Sequence, residues 1–282
     1  MALTVEQLER KVVDLANLPT LPGILKKISK MTEGAESSAG DVAEVIATDQ
    51  VLSAKVLRLV NSPVYGFPGR ISSVTHAVVL LGFNVVKGLV LGTAVFDTLG
   101  QHGRGLWEHS LGCALFSRRL AQEKAMPDIE EVMIAGLLHD LGKVVLSYLF
   151  PERYEEAIAD ADTNRRHIAL AERDVFSVDH ARVASWVARE WHFPVRLSDP
   201  ITYHHRPDLA KEKREAAAVV HVADILARGM GYGFCGDETL PELDHEAFQQ
   251  LEIPFAQLDQ IIEDVEMEYA AGADLFASGP EE

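Results

Sequence analysis

Apolar residues recur along most of this chain every three or four positions, which is the spacing of one face of an α-helix. The first such stripe consists of Leu8, Val12 and Leu15, and Thr4 with Gln7 forms a capping box in front of it. Strict alternation of apolar and polar residues, which is typical of β-strands, is almost absent. The pattern therefore predicts an all-α fold.

Prolines and glycines divide this pattern into separate helices. A loop with two prolines and two glycines at 62–73 interrupts it, as do shorter breaks at 241–243 and 253–255. Gly82 is a candidate helix end, because glycine readily adopts the left-handed conformation that helix ends require. The predicted helices cover residues 4–16, 18–31, 40–49, 51–61, 74–82, 84–99, 106–123, 128–141, 152–160, 164–176, 180–191, 195–205, 208–229 and 255–270.

The segment 100–105 carries three glycines in six residues and is the best candidate for a domain boundary. The charge balance also changes there, since residues 1–104 hold 10 basic and 9 acidic residues, whereas residues 229–282 hold 14 acidic and no basic ones. The sequence predicts an N-terminal helical lobe at 1–104 and a second helical lobe at 105–230. An acidic helical extension and tail follow at 231–282.

Composition and charge narrow the functional classes. The chain has 282 residues, 48% of them hydrophobic, and a net charge of −17 at pH 7, so nucleic acid is not an expected partner. Its two cysteines, Cys113 and Cys235, exclude a disulfide scaffold and a cysteine-rich zinc module. The acidic C-terminal end is either a solvated face with a tail or a contact surface for a basic partner.

No segment predicts insertion into a membrane. The longest apolar stretch, at 78–96, carries Asn84 and Lys87 near its centre and is interpreted as buried helices. The N-terminus lacks the basic and apolar regions of a signal peptide. We therefore expect a cytoplasmic protein with reduced cysteines and without a membrane partner.

Histidines and aspartates on five predicted helices form the strongest chemical signal. Imidazole nitrogen and carboxylate oxygen are the ligands that divalent Zn, Mn, Fe and Ni prefer. An aspartate directly after a histidine can bridge two metals, and a pair of metals roughly 3.5–4 Å apart clamps a phosphate. We expect one or two divalent transition metals. The candidate ligands are His109, His139, Asp140, His180, His204, His205 and Asp224.

The motif LLHDLGK places His139 and Asp140 at the end of an apolar helix, where buried charges must be paired or bound to metal. The remaining histidines indicate less about a metal site. His221, one turn before Asp224, is a ligand, a support for a ligand or a core residue, and the sequence leaves these alternatives open. Ordinary core or surface positions are expected for the others, which are His76, His102, His167, His192 and His245.

The order of these residues resembles known families. His109, the pair His139–Asp140 and Asp224 follow the pattern of the HD superfamily of metal-dependent phosphohydrolases, and the later histidines resemble its HD-GYP branch. The chain as a whole is most similar to HDOD-domain proteins. Six blocks carry that resemblance in the family order, at 18–28, 41–82, 106–114, 135–146, 179–194 and 204–207.

The resemblance implies a bacterial regulatory protein, tied to signalling, stress response or cyclic-dinucleotide pathways, whose HD-like lobe is often not catalytic. It also implies the division of the ligands between two metals. Lys143 matches a lysine that lies near phosphate in the HD-GYP branch. The first metal would be held by His109, His139, Asp140 and Asp224, and the second by Asp140, His180, His204 and His205.

Two departures from the HD-GYP pattern argue against hydrolysis of cyclic di-GMP and against a third metal. Gly105 stands where that branch often has a glutamate, and no Gly-Tyr-Pro segment lies between the double histidine and Asp224. Two hypotheses remain. The chain is a signalling adaptor with a protein partner and a possible nucleotide or cyclic-dinucleotide ligand, or it is a two-metal phosphohydrolase acting on such phosphoesters. In the second case Asp140 and Lys143 are the expected catalytic residues.

Overall fold

A computed structural model describes residues 4–16, 40, 45–47, 50–62, 65, 67, 70–99 and 105–277. Within these residues the chain forms fourteen α-helices and no β-strand, which confirms the all-α prediction. The predicted helix at 18–31, most of the one at 40–49 and the glycines before 105 lie outside the described residues.

The described part of the chain before the glycine-rich segment contains four helices. The predicted capping box is present, since the Thr4 N–H donates to Gln7 Oε1 at 3.0 Å and the Gln7 N–H donates to Thr4 Oγ1 at 3.3 Å. Gly82, with φ at 86°, ends the third helix as expected. These helices are α1 (Val5–Ala16), α2 (Gln50–Val60), α3 (Val74–Leu81) and α4 (Phe83–Leu99).

Ten helices follow the glycine-rich segment. They are α5 (Leu106–Glu123), α6 (Ile129–Leu138), α7 (Leu141–Leu149), α8 (Pro151–Asn164), α9 (Ile168–Phe176), α10 (His180–Glu190), α11 (Val195–Tyr203), α12 (Arg214–Gly229), α13 (His245–Leu251) and α14 (Phe255–Ala277). The apolar periodicity did not predict α7 or the short α13. A 3-10 turn at Pro207–Leu209 replaces the predicted start of α12.

The predicted single helix at 128–141 is wrong at its C-terminal end. The chain turns at His139 and Asp140 and then enters α7, where the Lys143 N–H donates to the Asp140 carbonyl at 2.9 Å. Apolar residues on both sides of the turn hide it in the sequence pattern. As a result, His139 ends one helix and Asp140 begins the next.

A continuous apolar core connects both parts of the chain. Helix α5 packs between α6 and α12, while α4 packs on α6 and α7, and α1 packs on α10. Lys87 of α4 is buried and donates from Nζ to the Trp191 carbonyl at 2.7 Å, just after α10. The boundary proposed near residue 105 stays a prediction.

One segment of the described chain, at 129–149, is long and apolar enough to cross a membrane by length and composition alone. It comprises α6 and α7 with the turn between them, and 89% of its most apolar window is buried inside the fold. Burial of this kind is typical of core helices.

The segment after α12 closes over the start of α5. Gly233 has φ at 65°, and a Cβ atom there would lie only 2.6 Å from the backbone nitrogen of His109. The Phe234 N–H donates to the Gly105 carbonyl at 3.1 Å, and the ring of Tyr232 stacks on that of Tyr269 in α14. The acidic extension therefore contacts the helix that carries His109.

Candidate metal centre

The first group of candidate ligands joins three helices. His109 lies in α5, His139 ends α6 and Asp224 lies in α12. His109 Nε2 is 3.1 Å from Asp224 Oδ1, and His139 Nε2 is 3.8 Å from the same oxygen. One donor atom from each residue lies within 4.8 Å of the other two, so this group can hold a metal ion.

Asp140 lies between the two groups of ligands. Its Oδ1 is 3.2 Å from His180 Nε2, while its Oδ2 is 3.3 Å from His139 Nε2 and 3.5 Å from His109 Nε2. Lys143 Nζ donates to Oδ2 at 2.7 Å. One carboxylate oxygen thus faces each group, which is the arrangement that a bridging ligand requires.

The second group consists of His180, His204 and His205. Their donor atoms also lie within 4.8 Å of one another, and the Nε2 atoms of His180 and His205 are 2.8 Å apart. His205 is partly exposed, whereas the other six candidate ligands have at most 2% of their surface exposed. The structure therefore brings all seven sequence-predicted ligands together, and solvent lies on the side of His205.

Backbone carbonyls hold His139 and His204 with their Nε2 atoms facing the centre. Nδ1 of His139 donates to the Gly136 carbonyl at 2.7 Å, and Nδ1 of His204 donates to the Ile201 carbonyl at 2.8 Å. In the neutral form of either ring these bonds leave the lone pair on Nε2, as in metal-binding histidines. Burial lowers the pKa of His204 to about 3, so its ring is in the neutral form that binds metal.

Unsatisfied atoms and charge both favour a cation here. Within the described chain, Nε2 of His139, Nε2 of His204 and Oδ1 of Asp140 are buried without a hydrogen bond. Each such atom costs about 1–3 kcal/mol unless another partner satisfies it. The ionised carboxylates also outnumber the buried lysine and arginine by one, because Glu172, with a pKa of about 8, is mostly protonated at neutral pH. In the metal-free form the opposing charge is a proton on His139, whose pKa is raised by Asp140 against the effect of burial. The charged groups around the centre are Asp140, Asp224 and Asp237 on one side and Lys143 and Arg228 on the other.

Glu172 is a site residue that the sequence analysis missed. It is fully buried in α9, and its Oε2 accepts the backbone N–H of His180 at 2.7 Å and Nδ1–H of His180 at 2.6 Å. Tyr154 donates to Oε1 at 3.1 Å. Burial raises the pKa of Glu172 to about 8, although three converging donors oppose this shift. The position of this glutamate on the apolar face of α9 could have identified it from the sequence as a buried carboxylate.

Arg228 and Asp237 were also missed. Arg228 is buried, and it donates from Nε to Asp224 Oδ1 at 2.9 Å and from Nη1 to Asp237 Oδ2 at 3.1 Å. The same oxygen of Asp237 accepts the Ile168 N–H at 3.0 Å. Arg228 therefore orients the candidate ligand Asp224. Its position one helical turn after Asp224 predicts an ion pair between the two side chains, so the sequence alone could have identified it.

Two further histidines have defined positions. His221 donates from Nδ1 to the His204 carbonyl at 2.8 Å and accepts the Asp244 N–H on Nε2 at 3.0 Å. Both of its nitrogens are thus occupied by backbone, and it supports the backbone of His204. His167, to which the sequence gave no role, packs its ring edge-on against His205 with centroids 4.8 Å apart.

Replacement of Glu172 by glutamine should weaken metal binding at the group that contains His180. The amide keeps the volume but has one acceptor oxygen in place of the two that accept from His180 and Tyr154, and such changes around a ligand typically cost about 10–100-fold in metal affinity. Competition with a chromophoric chelator measures this affinity. Glu156→Gln on the exposed face of α8 is the matched control. Equal affinities of the two variants would show that Glu172 does not act on the metal site.

A family model described as HDOD domain matches residues 18–207. A curated relative, an uncharacterized protein of Treponema pallidum (strain Nichols), is 26% identical over 219 residues. The match covers 75% of this chain and 42% of that protein, so the chain spans less than half the length of the curated relative. The candidate ligand Asp224 and its partner Arg228 lie beyond the family match.

Solved structures share the fold. An HDOD domain protein of unknown function from Geobacter sulfurreducens is 26% identical, with a TM-score of 0.71 over 95% of this chain and 99% of its own. A protein of Marinobacter aquaeolei VT8, provisionally named a signal transduction protein, is 21% identical, with a TM-score of 0.72 over 94% of this chain and 61% of its own. A provisionally named phosphohydrolase of Shewanella amazonensis SB2B is 22% identical, with a TM-score of 0.67 over 95% and 96%.

Proposed function

The chain belongs to the HDOD domain family, and on this premise we propose that it is a regulatory protein of bacterial signal transduction with a metal centre in its second lobe. The centre would hold one or two divalent ions of Fe, Mn, Ni or Zn. The related fold of the Marinobacter protein, whose provisional name refers to signal transduction, supports the regulatory part of the proposal. We place the protein in the cytoplasm with a protein partner.

One observation carries the metal proposal. Seven side chains from helices and helix ends converge in one cluster, and among the described residues Nε2 of His109, His139 and His204 lack hydrogen bonds there. A divalent cation would satisfy these buried nitrogens. The proposed ligands of one metal are His109, His139, Asp140 and Asp224. Those of a second metal are Asp140, His180, His204 and His205.

A second candidate function is hydrolysis of a nucleotide or cyclic-dinucleotide phosphoester. The observation that favours it is the fully buried Lys143, whose ammonium group lies 2.7 Å from the central carboxylate of Asp140. A bound metal pair would polarise a phosphoryl oxygen and activate water. In this reaction Asp140 would orient the reacting groups, Lys143 would neutralise charge on the phosphate, and Glu172 would hold His180 in place.

A panel of phosphoesters separates the two candidates. Protein loaded with Mn, Ni, Fe or Mg is incubated with phosphate monoesters, nucleotides and cyclic dinucleotides, and released phosphate or nucleotide is measured. Asp140→Ala is the background control. The regulatory proposal predicts no turnover above this background and a specific partner in a pull-down. Robust turnover together with a pull-down that recovers no partner would contradict it and favour the enzyme.

A further inference from the structure

His167 presents a buried hydrogen-bond donor that no ligand assignment uses. It precedes α9, and its Nδ1 accepts the Ala169 N–H at 3.3 Å. Because a neutral imidazole carries one proton, this bond places the proton on Nε2. Among the described residues, Nε2 of His167 is buried and has no partner. The ring lies edge-on to His205, at the open side of the metal centre.

Arg228 presents a second unused donor close by. Its Nε and Nη1 atoms contact Asp224 and Asp237, but its Nη2 is buried without an acceptor in the part of the chain that the structure describes. Asp237 Oδ2 accepts both Arg228 Nη1 and the N–H of Ile168, the residue after His167. Asp237 therefore links Arg228 to the backbone beside His167, and each of the two unused donors belongs to a residue that contacts a candidate ligand.

We propose that His167 Nε2–H and Arg228 Nη2–H bind the oxygens of a phosphate-type oxyanion at the metal centre. The inference rests on the proposed function, because it requires the bound metals. Buried donors without acceptors are unfavourable, and an anionic oxygen would satisfy both.

Charge supports this choice of ligand. The ionised carboxylates Asp140, Asp224 and Asp237 exceed Lys143 and Arg228 by one negative charge. Two divalent metals would therefore leave a surplus of positive charge at the centre, even with Glu172 ionised. A phosphate dianion reduces this surplus and offers several acceptor oxygens. A neutral ligand would leave that charge uncompensated inside the protein.

Two substitutions separate the donor of His167 from its capping role. In His167→Asn the shorter side chain can still accept the Ala169 N–H, as Nδ1 does, but cannot reach the position of Nε2. In His167→Gln the amide nitrogen can occupy the Nε2 position, while the cap is lost. His76→Asn, at an exposed position of α3, is the surface control.

Binding of inorganic phosphate is measured by isothermal titration calorimetry on Mn-loaded protein, with the metal content of each variant determined in parallel. We expect His167→Asn to bind phosphate about 10- to 100-fold more weakly, as for loss of a charge-assisted hydrogen bond. It should keep the wild-type metal content and Tm. His167→Gln should retain most of the phosphate affinity but have a lower Tm, because the helix cap is lost. His76→Asn should match the wild type in phosphate affinity, metal content and Tm.

The outcomes distinguish this inference from the proposed function. If His167→Asn binds phosphate as tightly as the wild type at equal metal content, His167 is only a helix cap and the inference is wrong, while the metal proposal stands. If metal-loaded wild type binds no phosphate, the inference is also wrong and the metal proposal also stands. If the wild type takes up no metal, the proposed function fails and the inference fails with it.

Discussion

Asp140→Ala is expected to abolish most metal uptake and to lower the Tm of the protein in metal-replete buffer. The Asp140 carboxylate faces Nε2 of His109, His139 and His180 and forms an ion pair with Lys143. Its removal deletes the proposed bridging ligand of both metals. It also leaves the buried ammonium group of Lys143 without its carboxylate, and breaking a buried pair in this way costs about 3–5 kcal/mol.

Melting curves with and without added metal separate these two effects. A metal that binds only the native state stabilises it by mass action, by about 4 kcal/mol at a thousandfold excess over Kd. We therefore expect added metal to raise the Tm of the wild type but not that of the variant. Asp162→Ala, at an exposed position of α8, should respond like the wild type. A variant at Asp140 that takes up the normal amount of metal would contradict the assignment.

Gly142→Ala should disrupt the centre from a position that ligates nothing. Gly142 lies where α7 contacts the start of α10, and a Cβ atom there would overlap the carbonyl oxygen of His180 and lie 2.7 Å from its carbonyl carbon. Because these are backbone atoms, the two helices must separate. Asp140 and His180, now 3.2 Å apart, would then move away from each other.

We expect overpacking to lower the free energy of unfolding by about 1–3 kcal/mol or more, which lowers Tm. We also expect a reduced metal content. Gly229→Ala is the matched control, because a Cβ atom there has no neighbour within 4 Å. That substitution should leave Tm unchanged or raise it slightly. Equal Tm and equal metal content in both variants would contradict the close approach of α7 and α10.

The sequence predicted most of the described helices for a clear physical reason. Apolar periodicity reports which face of a helix is buried, and this signal was strong enough to place α10 within one residue of its end. The signal fails where apolar residues continue through a turn, as at His139 and Asp140. It therefore missed α7, although the turn directs both side chains into the centre.

The residues that support the ligands were largely hidden. Glu172 contacts His180 across the turn that joins α9 to α10, and His167 meets His205 across 38 positions of the chain. No local pattern encodes such contacts. The role of His221 was open for the same reason, since its two partners are the backbones of His204 and Asp244. Only Arg228, one turn after Asp224, was readable from spacing.

The metal content of the purified wild-type protein, measured by elemental analysis before any chelator is used, tests the central claim most directly. The buried cluster of imidazoles and carboxylates predicts one to two equivalents of a transition metal per chain, among Fe, Mn, Ni and Zn. Added metal should also raise the Tm of any metal-free fraction. The claim is contradicted if the protein purifies without metal and if none of these four metals changes its Tm.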